Sequence, residues 1–316
     1  MAFKVYNPKP LCAEAEQMLA EAGVEIVKSS GPSKEDLLKD TADVDAAVIW
    51  LSPNRFDKEV IDNAKNLKLI SRFGVGMEIV DVEYAQEKGI MVCNTPTSNG
   101  NAVAEHTIYL IMALAKNSKF VNQQIEAGEW NTIKKTSAVE LGKSTLGVIG
   151  LGNIGKNVCR KALGLGMKVI GYAPRPKDIP EGVTVTSDLN YLLANSDFVS
   201  MHTPETPQTI GMMGYEQFKQ MKPTAFFIND SRGKVVVQSD LERALSEGLI
   251  KGAGLDVFIE EPLPMDSPLR GNVNVIITPH YAGFTNGAVI NTGLDVAQSI
   301  LDVMNGGRPK YEIKKK

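Results

Sequence analysis

Thr145-Leu-Gly-Val-Ile-Gly-Leu-Gly-Asn-Ile-Gly155, TLGVIGLGNIG, sets Gly150, Gly152 and Gly155 in the spacing GxGxxG. That spacing alone is weak evidence. Here an apolar, strand-like run leads into the glycines and a helical pattern, Lys156 to Leu163, leads away from them, which is the setting the motif requires. Each glycine then has its own task. Gly150 allows a tight turn, Gly152 lets backbone approach a pyrophosphate, and Gly155 packs helix on strand so that the helix N-terminus faces the anion. Asn153 and Ile154 belong to the same loop. The competing reading, a glycine-rich turn without a ligand, does not account for the strand and helix on either side.

The next strand, Met167 to Tyr172, ends at Ala173, 18 residues past Gly155. An acid about 20 residues beyond the last glycine holds the ribose 2′-hydroxyl of NAD in such sites. Lys168-Val-Ile-Gly-Tyr-Ala-Pro-Arg-Pro176 has Ala173 there and Arg175 two residues on. The carboxylate that would repel a 2′-phosphate is gone, and an arginine suited to a phosphate has arrived, with Lys177 as a second positive charge. The expectation is NADP in preference to NAD, with NAD still accepted. A solvated Arg175 and tolerance of both cofactors is the plain alternative.

Around this fingerprint, short apolar runs alternate with helical patterns from end to end, which predicts α/β structure with parallel sheets. KVYN, VEIVKS, AAVIWLS, LKLISRFG and IMVCNT form a first series of strands. TLGVIG, KVIGYA, DFVSMH, AFFIND, AGLDV and NVIITP form a second. Between the series lie an apolar helix, Ala102 to Ala115, and a polar stretch, Lys116 to Lys143, without a clear strand, read as an arm or inter-subunit element. A final helix, Ala288 to Asn305, is expected to return to the first domain. The predicted domains are 1–100 with 286–316, and 101–285.

The 316 residues suffice for two domains with cores, and 43% hydrophobic with 22% charged residues is ordinary for a soluble protein. A net charge of -3 gives no reason to expect nucleic acid or an anionic membrane as partner. The apolar run Ile108 to Ala115 is too short for a bilayer, and the start, MAFKVYNPKP, has no signal-peptide core. Cys12, Cys93 and Cys159 have no metal-like spacing and read as reduced thiols in or near the core, so the expected setting is the cytoplasm.

Three histidines narrow the chemistry. His106, inside the apolar helix, reads as a satisfied buried or interdomain residue. His202 ends a strand on the cofactor side, so its loop, with Thr203 and Pro204, could touch the dinucleotide. His280 ends the strand of VNVIITPH, at the sheet edge where open α/β folds bind ligands. GLDVFIEEPLP offers Asp256, Glu260 and Glu261 after another strand, and FINDSRGKVV carries Asp230 and Arg232 after a third. A histidine with a carboxylate partner is a general acid/base, and a guanidinium fork suits a carboxylate substrate. A capping histidine, an acidic loop and a surface ion pair are the plain readings of each alone. Three such residues at strand ends of one nucleotide fold favour a site.

GVIGLGNIG, NDSRGKVV, GLDVFIEEPLP and TPHYAG together resemble the D-isomer-specific 2-hydroxyacid dehydrogenases. SRFGVGMEIVDVEYAQEKGI and NAVAEHTIYLIMALAKN extend the resemblance over nearly the whole chain. It implies a Rossmann NAD(P) domain inserted into a flavodoxin-like substrate domain, both doubly wound, and usually a homodimer. It also implies roles. Arg232 binds the substrate carboxylate and polarises the oxo group, His280 exchanges the proton, and Glu261 orients His280 and favours its protonated form. Backbone groups at Val75 and Gly76 hold the carboxylate, and Asp256 meets the nicotinamide carboxamide. The implied reaction moves a hydride between a nicotinamide cofactor and the 2-position of a D-2-hydroxyacid or 2-oxoacid, with reduction of the oxoacid expected.

Departures from the family pattern bear on the substrate. Met77-Glu78-Ile79 follows the first-domain GVG where the family usually has an Asp-Asn pair. Arg72 matches a substrate-binding arginine of phosphoglycerate dehydrogenases, but their second arginine corresponds to Leu51, with Arg55 close by. The regulatory domain that many of those enzymes carry is not expected here. Phosphoglycerate oxidation in serine synthesis is therefore the second reading. A dinucleotide-sensing binding protein, like the corepressors that reuse this fold, is the rival from another class, and turnover separates it from an enzyme.

Overall fold

The computed structural model describes residues 2–50, 52, 54–131 and 136–314. The chain divides into two compact units, one running up to Asn99 and resuming at Phe284, the other Gly100–Gly283. In the first lie β1 (Lys4–Tyr6), α1 (Ala13–Glu21), β2 (Glu25–Val27), α2 (Lys34–Thr41), β3 (Ala46–Ile49), α3 (Lys58–Asn63), β4 (Leu69–Arg72), α4 (Val82–Glu87) and β5 (Met91–Cys93). In the second follow α5 (Gly100–Ala115), α6 (Ser118–Glu126), β6 (Thr145–Ile149), α7 (Asn153–Gly164), β7 (Lys168–Tyr172), β8 (Val183–Thr186), α8 (Leu189–Asn195), β9 (Phe198–Met201), α9 (Tyr215–Gln220), β10 (Phe226–Asn229), α10 (Gln238–Ser246), β11 (Gly252–Leu255), α11 (Pro268–Gly271) and β12 (Val275–Ile277). The last helix, α12 (Asn286–Met304), belongs to the first unit.

The first unit's sheet is parallel, in the order β2-β1-β3-β4-β5. This is the flavodoxin-like order, doubly wound about β1. β3 and β4 are buried along their whole length, as strands covered by helices on both faces must be. One face is completed by α12, whose Val296, Ala297, Ile300 and Val303 share a core with Val5, Ala46, Leu69 and Cys93. The helices start where polar caps dictate. Ser33 forms a reciprocal capping box with Asp36, and Asp57, Asp81 and Thr285 each accept a backbone N–H of the helix they open.

The second unit carries seven parallel strands in the order β12-β11-β10-β9-β6-β7-β8. The winding reverses between β6 and β9, where Ile149 pairs with Met201 on one side and Tyr172 on the other. A reversal of that kind opens a crevice at the carboxyl ends of the strands. The apolar helix α5 lies against this sheet: Leu110, Ile111 and Leu114 share a core with Val158, Cys159 and Ala162 of α7. Gly254 of β11 allows the approach, since a Cβ there would sit 3.0 Å from that of Leu110.

Two elements depart from the sequence reading. The polar stretch after α5 contains a helix, α6, in which none of the nine residues is buried. Its Lys119 ammonium donates to the carbonyls of Asn272 and Val275, and burial pushes its pKa down. β8 was not anticipated because VTVT carries only two apolar residues and sits at the sheet edge, half exposed. Cys93 and Cys159 are buried and Cys12 partly so, all three as free thiols, and no helix among the described residues is long and apolar enough to cross a membrane.

Candidate active site

The glycine loop after β6 has the shape the spacing implies. Gly150 sits at φ +98°, and a Cβ there would lie 2.6 Å from the carbonyl oxygen of His202. A Cβ on Gly155 would lie 1.9 Å from the carbonyl oxygen of Gly150, so only glycine lets α7 start so close to the strand. Gly152 caps α7 with open space around its Cα, and the first turn of α7 holds no acid. The N–H groups of its first turn and an uncontested dipole make that helix end a seat for an anion.

At neighbouring strand ends some buried polar atoms have no partner among the described residues. His202 follows β9, its Nε2 2.7 Å from the Ser200 hydroxyl, while its Nδ1 is buried without a partner. Burial pushes its pKa down to about 3, so the ring is neutral. Thr203 Oγ1 is likewise buried and unpartnered. Buried polar atoms rarely stay unpaired, and orphans around a glycine loop and a helix N-terminus fit a dinucleotide. At the end of β7, the Tyr172 carbonyl accepts the Gly150 N–H at 2.8 Å, which ties that strand to the glycine loop. Ala173 is half buried, while Pro174, Arg175 and Lys177 are exposed.

At the other end of the sheet the acid/base residues meet. His280 Nδ1 lies 2.8 Å from Glu261 Oε2, and the other Glu261 oxygen accepts the Phe258 N–H at 3.0 Å. Burial raises the Glu261 pKa, but His280, the Phe258 N–H and Arg232 outweigh it and hold the carboxyl below its usual range. An ionised Glu261 can only accept, so Nδ1 carries hydrogen and Nε2 is left to exchange a proton. Arg232, half buried, follows β10 and donates from Nη1 to the Ser231 carbonyl at 2.6 Å, and its own carbonyl accepts from Asn229 at 3.0 Å.

His280 is held at φ 54°, in the left-handed region. Its loop is pinned by Asp256, at the end of β11. Asp256 Oδ1 accepts from the Thr278 hydroxyl at 2.5 Å and the Tyr281 N–H at 2.8 Å, and Oδ2 from the Ala282 N–H at 2.9 Å. The Asp256 carbonyl accepts the His280 N–H itself, also at 2.8 Å. A non-glycine residue persists at positive φ where its surroundings over-determine it, and such residues gather at functional sites. His106 is satisfied, as expected, by the Thr278 hydroxyl at 3.0 Å.

In the first unit, Arg72 is 8% exposed, its Nε donating to Gly76 O and its Nη1 to Ile49 O and Phe73 O. It braces the turn after β4. Asn94 donates to Val75 O at 2.7 Å, so both carbonyls of Val75 and Gly76 are taken by side chains. Leu51 lies outside the described residues, and Arg55 is exposed.

A model of the family described as D-isomer specific 2-hydroxyacid dehydrogenase, NAD binding domain, matches residues 108–282. The chain belongs to this family. This D-2-hydroxyacid dehydrogenase relative is 41% identical over 306 residues to the D-3-phosphoglycerate dehydrogenase of Methanocaldococcus jannaschii, covering 96% of this chain and 58% of that one. It thus spans little more than half the length of that relative. Similarity to the glyoxylate reductase of Thermofilum pendens, at 35% identity, covers 99% and 94% of the two chains. Among solved structures, an acyclic imino acid reductase in complex with NADPH and D-Arg superposes with a TM-score of 0.88 at 26% identity, over 99% of this chain and 100% of the other. As the family domain covers the glycine loop, the dinucleotide this dehydrogenase fold takes is a nicotinamide one.

The sequence singled out the glycine loop, Arg232, Glu261 and His280, but not Thr107, Thr278 or Ser200, which hold Asp230, Asp256 and His202. Two signals were available. Thr107 is a polar residue in the apolar run of α5, and Ser200 lies two residues before His202, on the same face of its strand.

Proposed function

We propose that this chain is an NADP-preferring D-2-hydroxyacid dehydrogenase working as a reductase of small 2-oxoacids. The observation that carries the reading is the 2.8 Å contact of His280 with an ionised Glu261, next to Arg232, at the carboxyl edge of a dinucleotide sheet. When bound, the nicotinamide supplies a hydride to the 2-carbon. Arg232 then offers a planar cation to the charge growing on the 2-oxygen, and His280 delivers a proton to that oxygen from Nε2. Glu261 keeps the ring turned for that transfer. In the first unit the reading assigns the N–H groups of Val75 and Gly76 to a carboxylate, with Arg72 as their brace.

Turnover is the test. Loss of absorbance at 340 nm with NADPH is expected for glyoxylate, hydroxypyruvate or another short 2-oxoacid. If no 2-oxoacid is turned over although the cofactor binds, the dinucleotide-sensing reading replaces this one. Phosphoglycerate oxidation is the second reading, favoured by the 41% identity to the archaeal relative. Engagement of Arg72 with three carbonyls speaks against it, so 3-phosphohydroxypyruvate is expected to be the poorer substrate. Free thiols, two of them buried, support a reducing, cytoplasmic setting.

A homodimer is part of the proposal. Ile125 of α6 is 42% exposed, Trp130 beyond it 75%, and Tyr109 and Met112 of α5 are exposed as well. A helix with no buried residue and an open tryptophan suits a second copy of the chain. Light scattering should give twice the chain mass, and Ile125→Glu with Trp130→Glu should give the monomer. A wild-type chain that is monomeric at micromolar concentration would remove the idea.

A further inference from the structure

Asp230 follows β10 and is 6% exposed, yet among the described residues only one of its oxygens has a hydrogen-bond partner. Oδ2 lies 2.7 Å from the Thr107 hydroxyl of α5, and that hydroxyl lies 2.9 Å from the carbonyl of Val103. A hydroxyl has one hydrogen to give. With Asp230 ionised, two acceptors compete for it and one contact stays unmade. With a proton on Oδ2 the chain closes: Asp230 donates to Thr107 Oγ1, and Thr107 donates to Val103. Burial drives the carboxyl the same way. Against the pull of Thr107 and with the help of the Asp256 charge, it pushes the pKa up to about 8.

Oδ1 of this acid is buried and unpartnered. The ribose-specificity loop follows β7, on one side of the β6–β9 reversal, and β10 to β12 lie on the other. A dinucleotide laid across the reversal therefore puts its nicotinamide at the β10 end, where Arg232 stands two residues beyond Asp230. Resting on the nicotinamide reading above, we propose that Asp230 serves the cofactor as a neutral acid. Its carboxyl stands buried at the nicotinamide end of the crevice, and loss of the Oδ2 proton at alkaline pH moves binding preference from the reduced to the oxidised cofactor.

The direction follows from charge. The reduced ring is neutral and the oxidised ring carries +1, so a new carboxylate beside it attracts only the oxidised form, and strongly in a poorly screened interior. The other ionisable groups on the surrounding elements include Asp256 after β11, Glu105, His106 and Tyr109 on α5, His202 after β9, Arg232 on the same loop, and His280 with Glu261. Burial lowers His106 against the pull of Asp256, His202 is lowered by burial, and Glu261 sits below its usual range, so these three shift away from the alkaline window.

The test uses binary complexes without substrate. Dissociation constants of NADPH and NADP⁺ are measured at about pH 6.5 and about pH 9.5, bracketing the raised pKa; titration of the 2′-phosphate is common to both forms and cancels in their ratio. The ratio of the NADPH constant to the NADP⁺ constant should rise about tenfold or more for the wild type, one unit of linked pKa difference. Asp230→Asn, which keeps the Oδ1 acceptor and cannot ionise, should hold the low-pH ratio at both values. Infrared difference spectra of the wild type should show a protonated-carboxyl C=O band that disappears on going alkaline, which needs no variant. Stability gives a further readout. The unfolded chain loses this proton near 3.8 and the folded chain near 8, so the wild type should lose stability as pH rises between them, and Asp230→Asn should lose less. A ratio flat with pH, the same rise in Asp230→Asn, or no such infrared band overturns the proposal while leaving the dehydrogenase reading intact. Failure of any nicotinamide dinucleotide to bind overturns both.

Discussion

Replacing His280 by alanine should lower kcat by about 10²–10⁴-fold, the usual worth of a positioned proton donor, or roughly 3–5 kcal/mol of barrier. Cofactor affinity should stay nearly unchanged, because the glycine loop and the end of β9 are separate from His280. Glu261→Gln should act through the same ring. An amide still caps Phe258 but can no longer serve as an ionised acceptor for Nδ1–H, so the pH profile of kcat should move as well as its height. Arg232→Lys should fail too, since an ammonium cannot reproduce a planar, bidentate fork. Rapid-mixing and steady-state kinetics on the three variants check this, and a His280→Ala enzyme with near-normal kcat would refute the assignment.

Cofactor choice should turn on two residues after β7. The wild type is expected to favour NADPH, with Arg175→Ala raising KM for NADPH by about 10–100-fold while barely moving that for NADH, the range of a charge-assisted hydrogen bond of roughly 1.5–3 kcal/mol. Ala173→Asp should reverse the preference, restoring an acceptor for the ribose hydroxyls and repelling the 2′-phosphate. The half-buried Ala173 is tied through Tyr172 to the phosphate loop, so a carboxylate there would be well placed, whereas the exposed Arg175 must order itself on binding. A wild-type kcat/KM that favours NADH tenfold or more would make Arg175 an ordinary surface residue.

What could be read from the sequence was whatever depends on local order along the chain. TLGVIGLGNIG carries its strand, turn and helix within one segment, and runs such as AFFIND and NVIITP announce buried parallel strands by continuous apolar character. His280 and Glu261 stood out because both follow such strands within a few residues. The parts that were not legible depend on residues far apart. Nothing in GLDV foretells that Asp256 will fix the backbone of a loop 22–26 residues later, and nothing in FIND foretells a partner hydroxyl 123 residues earlier. α6 was hidden for a different reason: it is only nine residues long, none of them fully buried, and its few apolar residues, Phe120, Val121 and Ile125, make too short a stripe to stand out in a polar stretch.

The route of α12 has a consequence for how the protein comes into being. Val5, Ala46 and Leu69 are made well before the side chains that complete their core, Val296 to Val303. The residues from Gly100 to Gly283 lie between them and form a unit of their own. Synthesis proceeds at about 5–20 residues per second, and domains fold as units. The dinucleotide-type unit, though second in the sequence, can therefore finish first, while the N-terminal segment waits with an uncovered apolar face. During that interval the nascent chain is a natural client for chaperones. A stop codon between Gly283 and α12 would leave one unit complete and the other permanently open, a form that quality control should recognise and remove.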